Sequence, residues 1–184
     1  MKVETFDVEG LATLQPKVHR DHRGFFFEAY NRQTLAQNGI HTTFVQDNMS
    51  RSSRGTLRGL HFQRNFPQAK LVSVIEGQVF DVAVDLRQGS ATYGQWQGVT
   101  LCAEQRNQFF VPRGFAHGFQ VLSEWATFFY KCSEFYHPED EEGIMWNDPA
   151  LGINWPLAQQ PTLSGKDSTL PLLADVKPWQ RSET

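Results

Sequence analysis

Val79-Phe80-Asp81-Val82-Ala83-Val84-Asp85-Leu86-Arg87 decides the fold class, because Phe80, Val82, Val84 and Leu86 alternate with Asp81, Ala83 and Asp85. A strand sends successive side chains to opposite faces, so a period of two predicts a strand here and not a helix. Turn signals flank the stretch: Glu76-Gly77 before it, Gln88-Gly89-Ser90 and Pro112-Arg113-Gly114 after it. From Phe44 to Phe135 the texture stays β, and short strands separated by regular turns predict an antiparallel sandwich or barrel over about 44–135. Residues 1–30 read as extended segments broken by the turn Asp21-His22-Arg23-Gly24. Asn31 to Asn38 reads as a short helix, capped by Asn31 and ended by Gly39. In the Pro138–Pro156 stretch, Trp146 and Trp155 are expected to anchor the chain on the barrel. Leu170 to Val176 suggests a short terminal helix, and the last few residues are expected to be mobile. Nothing marks a linker or a repeat, so 1–184 reads as one all-β domain with a few short peripheral helices.

Composition narrows the function. With 40% hydrophobic and 20% charged residues, the chain reads as a soluble globule. A net charge of -3 argues against general nucleic-acid binding, which needs a basic face. Arg51, Arg54 and Arg58 could still hold one small phosphorylated ligand. The start, Met1-Lys2-Val3-Glu4, lacks the apolar run of a signal peptide, and no stretch approaches a membrane span in length. A cytoplasmic location is therefore expected, with Cys102 and Cys132 as reduced thiols in strand-like patterns; a disulfide between them stays open.

Strand parity picks out the chemistry. Lys70 shares a face with Val72 and Val74, His117 with Phe119 and Val121, and Tyr130 with Phe128 and Cys132. A polar group on an apolar, inward face is costly without a partner, so each is a candidate. Arg58 and His61 differ in parity, and an irregularity at Gly59 is predicted to turn both inward. Taken singly, the bland readings stand: hydrogen-bonded core histidines, a core tyrosine, a lysine snorkelling from a strand end, a loop or capping aspartate at Asp167.

Pro112-x-Gly114-x-x-His117 resembles the second motif of cupin jelly-roll barrels, yet where metal-binding cupins carry His-x-His this chain reads His61-Phe62-Gln63. One ligand is missing, so no bound metal is expected. A fuller likeness runs along nearly the whole chain. It is carried by Gln46-Asp47-Asn48-x-Ser50, Arg58-Gly59-Leu60-His61-Phe62-Gln63 and Val79 through Arg87, then by Gly114-Phe115-Ala116-His117-Gly118-Phe119 and Asn147-Asp148-Pro149-x-Leu151-Gly152-Ile153. Together these resemble the dTDP-4-dehydrorhamnose 3,5-epimerase family. That resemblance implies a cupin-type jelly roll without metal or cofactor, acting as a homodimer with exchanged strands on a dTDP-4-keto-6-deoxyhexose. It implies His61 as general base with Asp167 as its carboxylate partner, Tyr130 as proton donor, and Lys70 beside the ketone oxygen. Arg58 and His117 would hold substrate, and Arg23, Glu28, Gln46, Asn48, Glu141 and Lys166 would line the nucleotide-sugar site, some from the neighbouring subunit. Phe135 or Tyr136 would stack on thymine, while Met49 replaces a histidine frequent in relatives, outside the catalytic positions.

The chemistry suits these residue types. Protons on the carbons flanking a ketone are acidic because the enolate oxygen takes the charge. Such a reaction wants a base on one face, an acid on the other and a cation at that oxygen. Imidazole, with an ordinary pKa of about 6.5, fits the first task. A carboxylate fixes its tautomer, and an ammonium in a low-dielectric pocket stabilises the enolate. A 3-epimerase or ketoisomerase on a related sugar, a metal-dependent cupin oxygenase and a non-catalytic nucleotide-sugar-binding barrel are the rival readings.

Overall fold

The computed structural model describes residues 1–180; the expected mobility of the last few residues falls largely outside them. In chain order the first elements are β1 (Lys2–Thr5), β2 (Ala12–Gln15), β3 (His19–Asp21), β4 (Gly24–Phe26), helix α1 (Arg32–Gln37) and β5 (Gln46–Ser53). Then come β6 (Leu57–Gln63), β7 (Lys70–Glu76), β8 (Gln78–Asp85), β9 (Trp96–Cys102), β10 (Gln108–Val111), β11 (Phe115–Val121), β12 (Trp125–Cys132) and β13 (Glu141–Gly143). One sheet runs β1-β2-β10-β7-β12-β5 and the other β13-β6-β11-β8-β9, with β3-β4 as a separate hairpin. Every pairing between these strands is antiparallel. The strands of the expected barrel core, β5 to β12, are thus joined by β1 and β2 on one sheet and β13 on the other.

The interior lies between the two sheets. Val72 and Val74 of β7, Phe109 of β10 and Phe128 of β12 meet Val79 and Ala83 of β8, Leu101 of β9 and Phe119 of β11. Phe109 and Phe128 are fully buried, each contributing about 1.5–3 kcal/mol of apolar burial. The stretch that gives away the strand shows its apolar side elsewhere. Val82, Val84 and Leu86 point away from this interior, into a second cluster with Ile144, Leu151, Val176 and Trp179 of the C-terminal segment. Asp81 and Ala83 take the inward face. Both faces of β8 are therefore covered, and Trp155 packs edge-on against Phe80 as the expected anchor.

Helix α1 forms where expected. The Asn31 side chain accepts from the Gln33 and Thr34 N–H groups, and Gly39 leaves the helix at φ +84, a region open to glycine. It covers the outer face of the larger sheet through Leu35, against Leu14, Leu71 and Phe110. The terminal helix expected at Leu170–Val176 is reduced to one 3-10 turn, Leu173–Asp175. Pro171 explains this: it lacks an N–H and pushes Leu170 into extended backbone, ψ 148. Cys102 and Cys132 are free thiols.

Candidate functional site

A cleft of about 560 Å³ opens between the sheets at one end of the barrel. The smaller sheet supplies Arg58 and His61 from β6 and His117 from β11; the larger supplies Lys70, Tyr130, Gln46 and Asn48 from β7, β12 and β5. Glu141 at the start of β13 and Lys166 and Asp167 from the C-terminal segment close its rim. Arg58 and His61 reach the same cleft through the predicted irregularity. His117 pairs with His61 and Phe119 with Arg58, so β6 carries one extra residue between the two pairs. Gly59 absorbs it at φ +115, a conformation L side chains rarely adopt. Gly118 faces the bulge without a side chain; a Cβ there would meet the Arg58 carbonyl oxygen at 2.5 Å.

Two histidine–carboxylate pairs stand side by side. His61 Nε2 lies 2.7 Å from Asp167 Oδ1, with side-chain exposures of 23% and 5%. The Gly59 N–H donates to Asp167 Oδ2 at 3.4 Å, and the Asp167 N–H donates to Ser164 Oγ. Burial pushes the Asp167 carboxyl up, but the bond from His61 and the donors around it outweigh that and hold it below its ordinary value. It is therefore a carboxylate, which can only accept. Nε2 carries the proton, and Nδ1 is left as the free basic nitrogen. Glu141 Oε1 lies 4.0 Å from that Nδ1. The second pair joins His117 Nε2 to Asp81 Oδ1 at 2.8 Å, both buried. Burial raises the Asp81 carboxyl, partly countered by His117, and among the described residues Asp81 Oδ2 has no hydrogen-bond partner.

Across the cleft, burial pushes the Tyr130 phenol up to about 12, with the Cys132 and Glu141 charges adding to it. It stays a proton donor through the neutral range. Lys70 Nζ lies 5.7 Å from the Tyr130 ring centroid, and burial lowers its pKa. A cation here, held in low dielectric, acts strongly on any oxyanion beside it. Arg58 donates through Nε to Ser52 Oγ at 3.1 Å, leaving the rest of its guanidinium toward the cleft.

The mouth is built from side chains that hold loops. Gln63 Nε2 donates to the Phe66 and Phe135 carbonyls at 2.6 and 3.0 Å, and its Oε1 accepts from the His137 N–H at 2.9 Å. Both amide donors are used within the fold. Gln46 Oε1 accepts from the Tyr136 N–H at 3.0 Å, and the Tyr136 hydroxyl donates to Glu141 Oε2 at 3.3 Å. Lys166 Nζ also pairs with Glu141. Tyr136 and Phe135 are exposed aromatics here, but only Tyr136 lines the cleft. Among the described residues no three His, Cys, Asp or Glu side chains cluster as a metal-binding set.

Of the residues singled out from sequence, Arg23 and Glu28 do not reach this cleft. Arg23 pairs with Asp21 on the exposed β3-β4 hairpin, and Glu28 accepts from Asn31 and Thr34 beside α1. Of the three arginines considered for phosphate, only Arg58 lines the cleft: Arg51 pairs with Glu76 and lies over Trp125, and Arg54 donates to the Leu122 carbonyl. Asp81 was missed. Its parity with Ala83 was the available signal, obscured by the apolar character of the opposite face.

The sequence profile described as dTDP-4-dehydrorhamnose 3,5-epimerase matches residues 5–175. The dTDP-4-dehydrorhamnose 3,5-epimerase of Salmonella typhimurium is 56% identical over 162 residues, covering 87% of this chain and 88% of that protein. That of Methanothermobacter thermautotrophicus is 55% identical over 150 residues, 82% of this chain and 81% of its own. The crystal structure of dTDP-6-deoxy-D-glucose-3,5-epimerase from Legionella pneumophila, in complex with dTDP-4-keto-L-rhamnose, superposes with a TM-score of 0.95 at 48% identity, covering 100% of this chain and 99% of that one. The antiparallel barrel is thus a cupin-type jelly roll, and the chain belongs to the dTDP-4-dehydrorhamnose 3,5-epimerase family.

Proposed function

We propose that this cleft inverts C3 and C5 of dTDP-4-keto-6-deoxy-D-glucose to give dTDP-4-keto-L-rhamnose, a step of dTDP-L-rhamnose synthesis. The observation that carries the reading is a half-buried histidine on a buried carboxylate, His61–Asp167, and a half-buried phenol, Tyr130, lining a single cleft from opposite sheets. His61 Nδ1 removes the proton from the carbon beside the ketone, and Asp167 stabilises the imidazolium so formed. Charge moves to the C4 oxygen, where the Lys70 ammonium and the Arg58 guanidinium stabilise the enolate. Tyr130 then delivers a proton from the opposite face, which inverts the carbon. The reaction is redox-neutral and needs no cofactor. His117, held by Asp81, helps hold the sugar; Gln46, Asn48, Glu141 and Lys166 hold the remainder, with Tyr136 as the stacking surface for thymine.

Arg23 and Glu28 fit the reading if a second copy supplies them. The hairpin that carries Arg23 exposes Phe25 and Phe26, the latter 71% exposed, and such a surface is suited to burial in a homodimer with exchanged strands. The free thiols suit a cytoplasmic, reducing location, and among the described residues no helix is long and apolar enough to cross a membrane. The test is NMR of dTDP-4-keto-6-deoxyglucose incubated with the protein in heavy water. The expected result is deuterium at both C3 and C5 with inversion at both. Exchange and inversion at C3 alone would make it a 3-epimerase, and binding without any exchange would refute catalysis.

A further inference from the structure

We propose that Glu141 drains the proton from His61 between the two inversions, so that one base can serve both carbons. The proposal rests on the double-epimerase reading above. Its starting point is a proton count. One inversion leaves an imidazolium at His61 and a phenolate at Tyr130. An imidazolium cannot deprotonate the second carbon, and a phenolate cannot protonate it. Before the second inversion one proton must leave His61 and one must reach Tyr130.

The Nε2 side of His61 offers no exit. Asp167 already accepts that N–H at 2.7 Å, its carboxyl is 5% exposed, and its surroundings favour the ionised form. The abstracted proton sits on Nδ1, and among the described residues Nδ1 has one carboxylate within reach, Glu141 Oε1 at 4.0 Å. A side-chain shift of about 1 Å, or one bridging water, makes that a hydrogen bond. Glu141 is 17% exposed, while its partner Lys166 is 49% exposed at the rim. Its other oxygen accepts from the Tyr136 hydroxyl at the mouth. One carboxylate therefore joins the base to the solvent side of the cleft.

The other groups around His61 do not compete. From its own strand Arg58 is a cation bonded to Ser52; from β11 His117 is bonded to Asp81. From the larger sheet Lys70, whose pKa burial lowers, lies 5.7 Å from the Tyr130 ring centroid on the far side of the cleft, and Tyr130 is the acid itself. Lys166 and Tyr136 act as donors to Glu141. The balance closes: the His61 Nδ1–H bond breaks as a Glu141 O–H bond forms, Glu141 passes that proton to water, and water returns one proton to the Tyr130 oxygen. Net proton content is unchanged.

The experiment measures the ratio of doubly to singly inverted product released in heavy water, at saturating substrate, for wild type and Glu141→Gln. This ratio serves as its own control, because a loss of binding or of folded protein lowers both products together. We expect it to fall by about 10²-fold, the scale of one proton-transfer group. Formate added to Glu141→Ala should restore double inversion in proportion to its ionised fraction, so rescue follows pH through the formate range. An unchanged ratio in Glu141→Gln overturns the proposal, as does an equal loss of both inversions that formate does not restore. A wild-type enzyme that exchanges neither carbon sinks the epimerase reading itself, and the relay with it.

Discussion

Replacing Asp167 with asparagine is expected to cost about 10³–10⁴ in exchange rate, and the structure says why an isosteric change should be so expensive. The carboxylate accepts from His61 Nε2 at 2.7 Å and stabilises the imidazolium that forms on proton abstraction. A hydrogen bond to a charged group contributes about 1.5–3 kcal/mol, or roughly 10–10² in rate at 1.36 kcal/mol per decade. The second loss is geometric. The other oxygen accepts from the Gly59 N–H at 3.4 Å, so an asparagine keeps its oxygen there and turns its NH2 toward Nε2. Nε2 must then become the acceptor and Nδ1 the protonated nitrogen, which removes the base. In the comparable Ser-His-Asp arrangement this tautomer error costs about 10⁴. The assay is deuterium incorporation from heavy water, with dTDP binding as a check that the cleft is intact. Exchange within about threefold of wild type would refute the tautomer argument. The same variant should also flatten acid unfolding. Asp167 holds its proton less tightly when folded, so it stabilises the fold above its ordinary value of 3.8, and that contribution vanishes as pH falls through the lowered one.

Lys70 is expected to set the alkaline limit. Burial lowers its pKa from 10.5, so the cation is present below the lowered value and lost as pH rises through it; exchange should decline with a midpoint below 10.5. Tyr130, at about 12, keeps its proton through that range. Lys70→Met should be slower by about 10²–10³ and should lack this decline, and a rate profile with the same alkaline limb would exclude Lys70. Gly118→Ala places a Cβ 2.5 Å from the Arg58 carbonyl oxygen and 3.1 Å from Gly59 Cα. Forcing β11 off the bulge should cost about 1–3 kcal/mol, roughly 2–4 °C of Tm for each, with exchange falling beyond the loss of folded protein. An unchanged melting curve would show that the bulge is not tightly held.

What could be read from the sequence followed the strand period. Lys70, His117 and Tyr130 share parity with apolar neighbours on their own strands, and all of them line the cleft. The mismatch of Arg58 and His61 was legible for the same reason: two side chains of opposite parity can share a face only through an extra residue, and Gly59 is the residue that tolerates it. The pairings that complete the site were not legible. Asp81 meets His117 across a sequence gap of 36, and only the register of β8 on β11 brings them together. Periodicity marked Val82, Val84 and Leu86 as a buried face without saying what would cover it. That cover is Trp179 and its neighbours, from a segment whose own signal was weak. Pro171 cut short the helix that the same segment suggested. Arg23 and Glu28 make local contacts within one chain, away from this cleft.

Gln63 shows how a barrel of this kind is committed to proton chemistry. In metal-binding relatives of the fold the residue two after the first histidine is a second imidazole. A glutamine there does something an imidazole cannot: its planar amide donates twice and accepts once, tying β6 to the Phe66 carbonyl, the Phe135 carbonyl and the His137 N–H together. An imidazole has two ring nitrogens in all and could not hold all three. The bond to the His137 N–H fixes the loop on one side of Tyr136, and Gln46 fixes Tyr136 itself through its N–H. The residue change that takes away a metal ligand is thus the same one that steadies the aromatic rim. His61 is left with carboxylates as its neighbours, Asp167 on one nitrogen and Glu141 near the other, and an imidazole between two carboxylates is arranged to move protons.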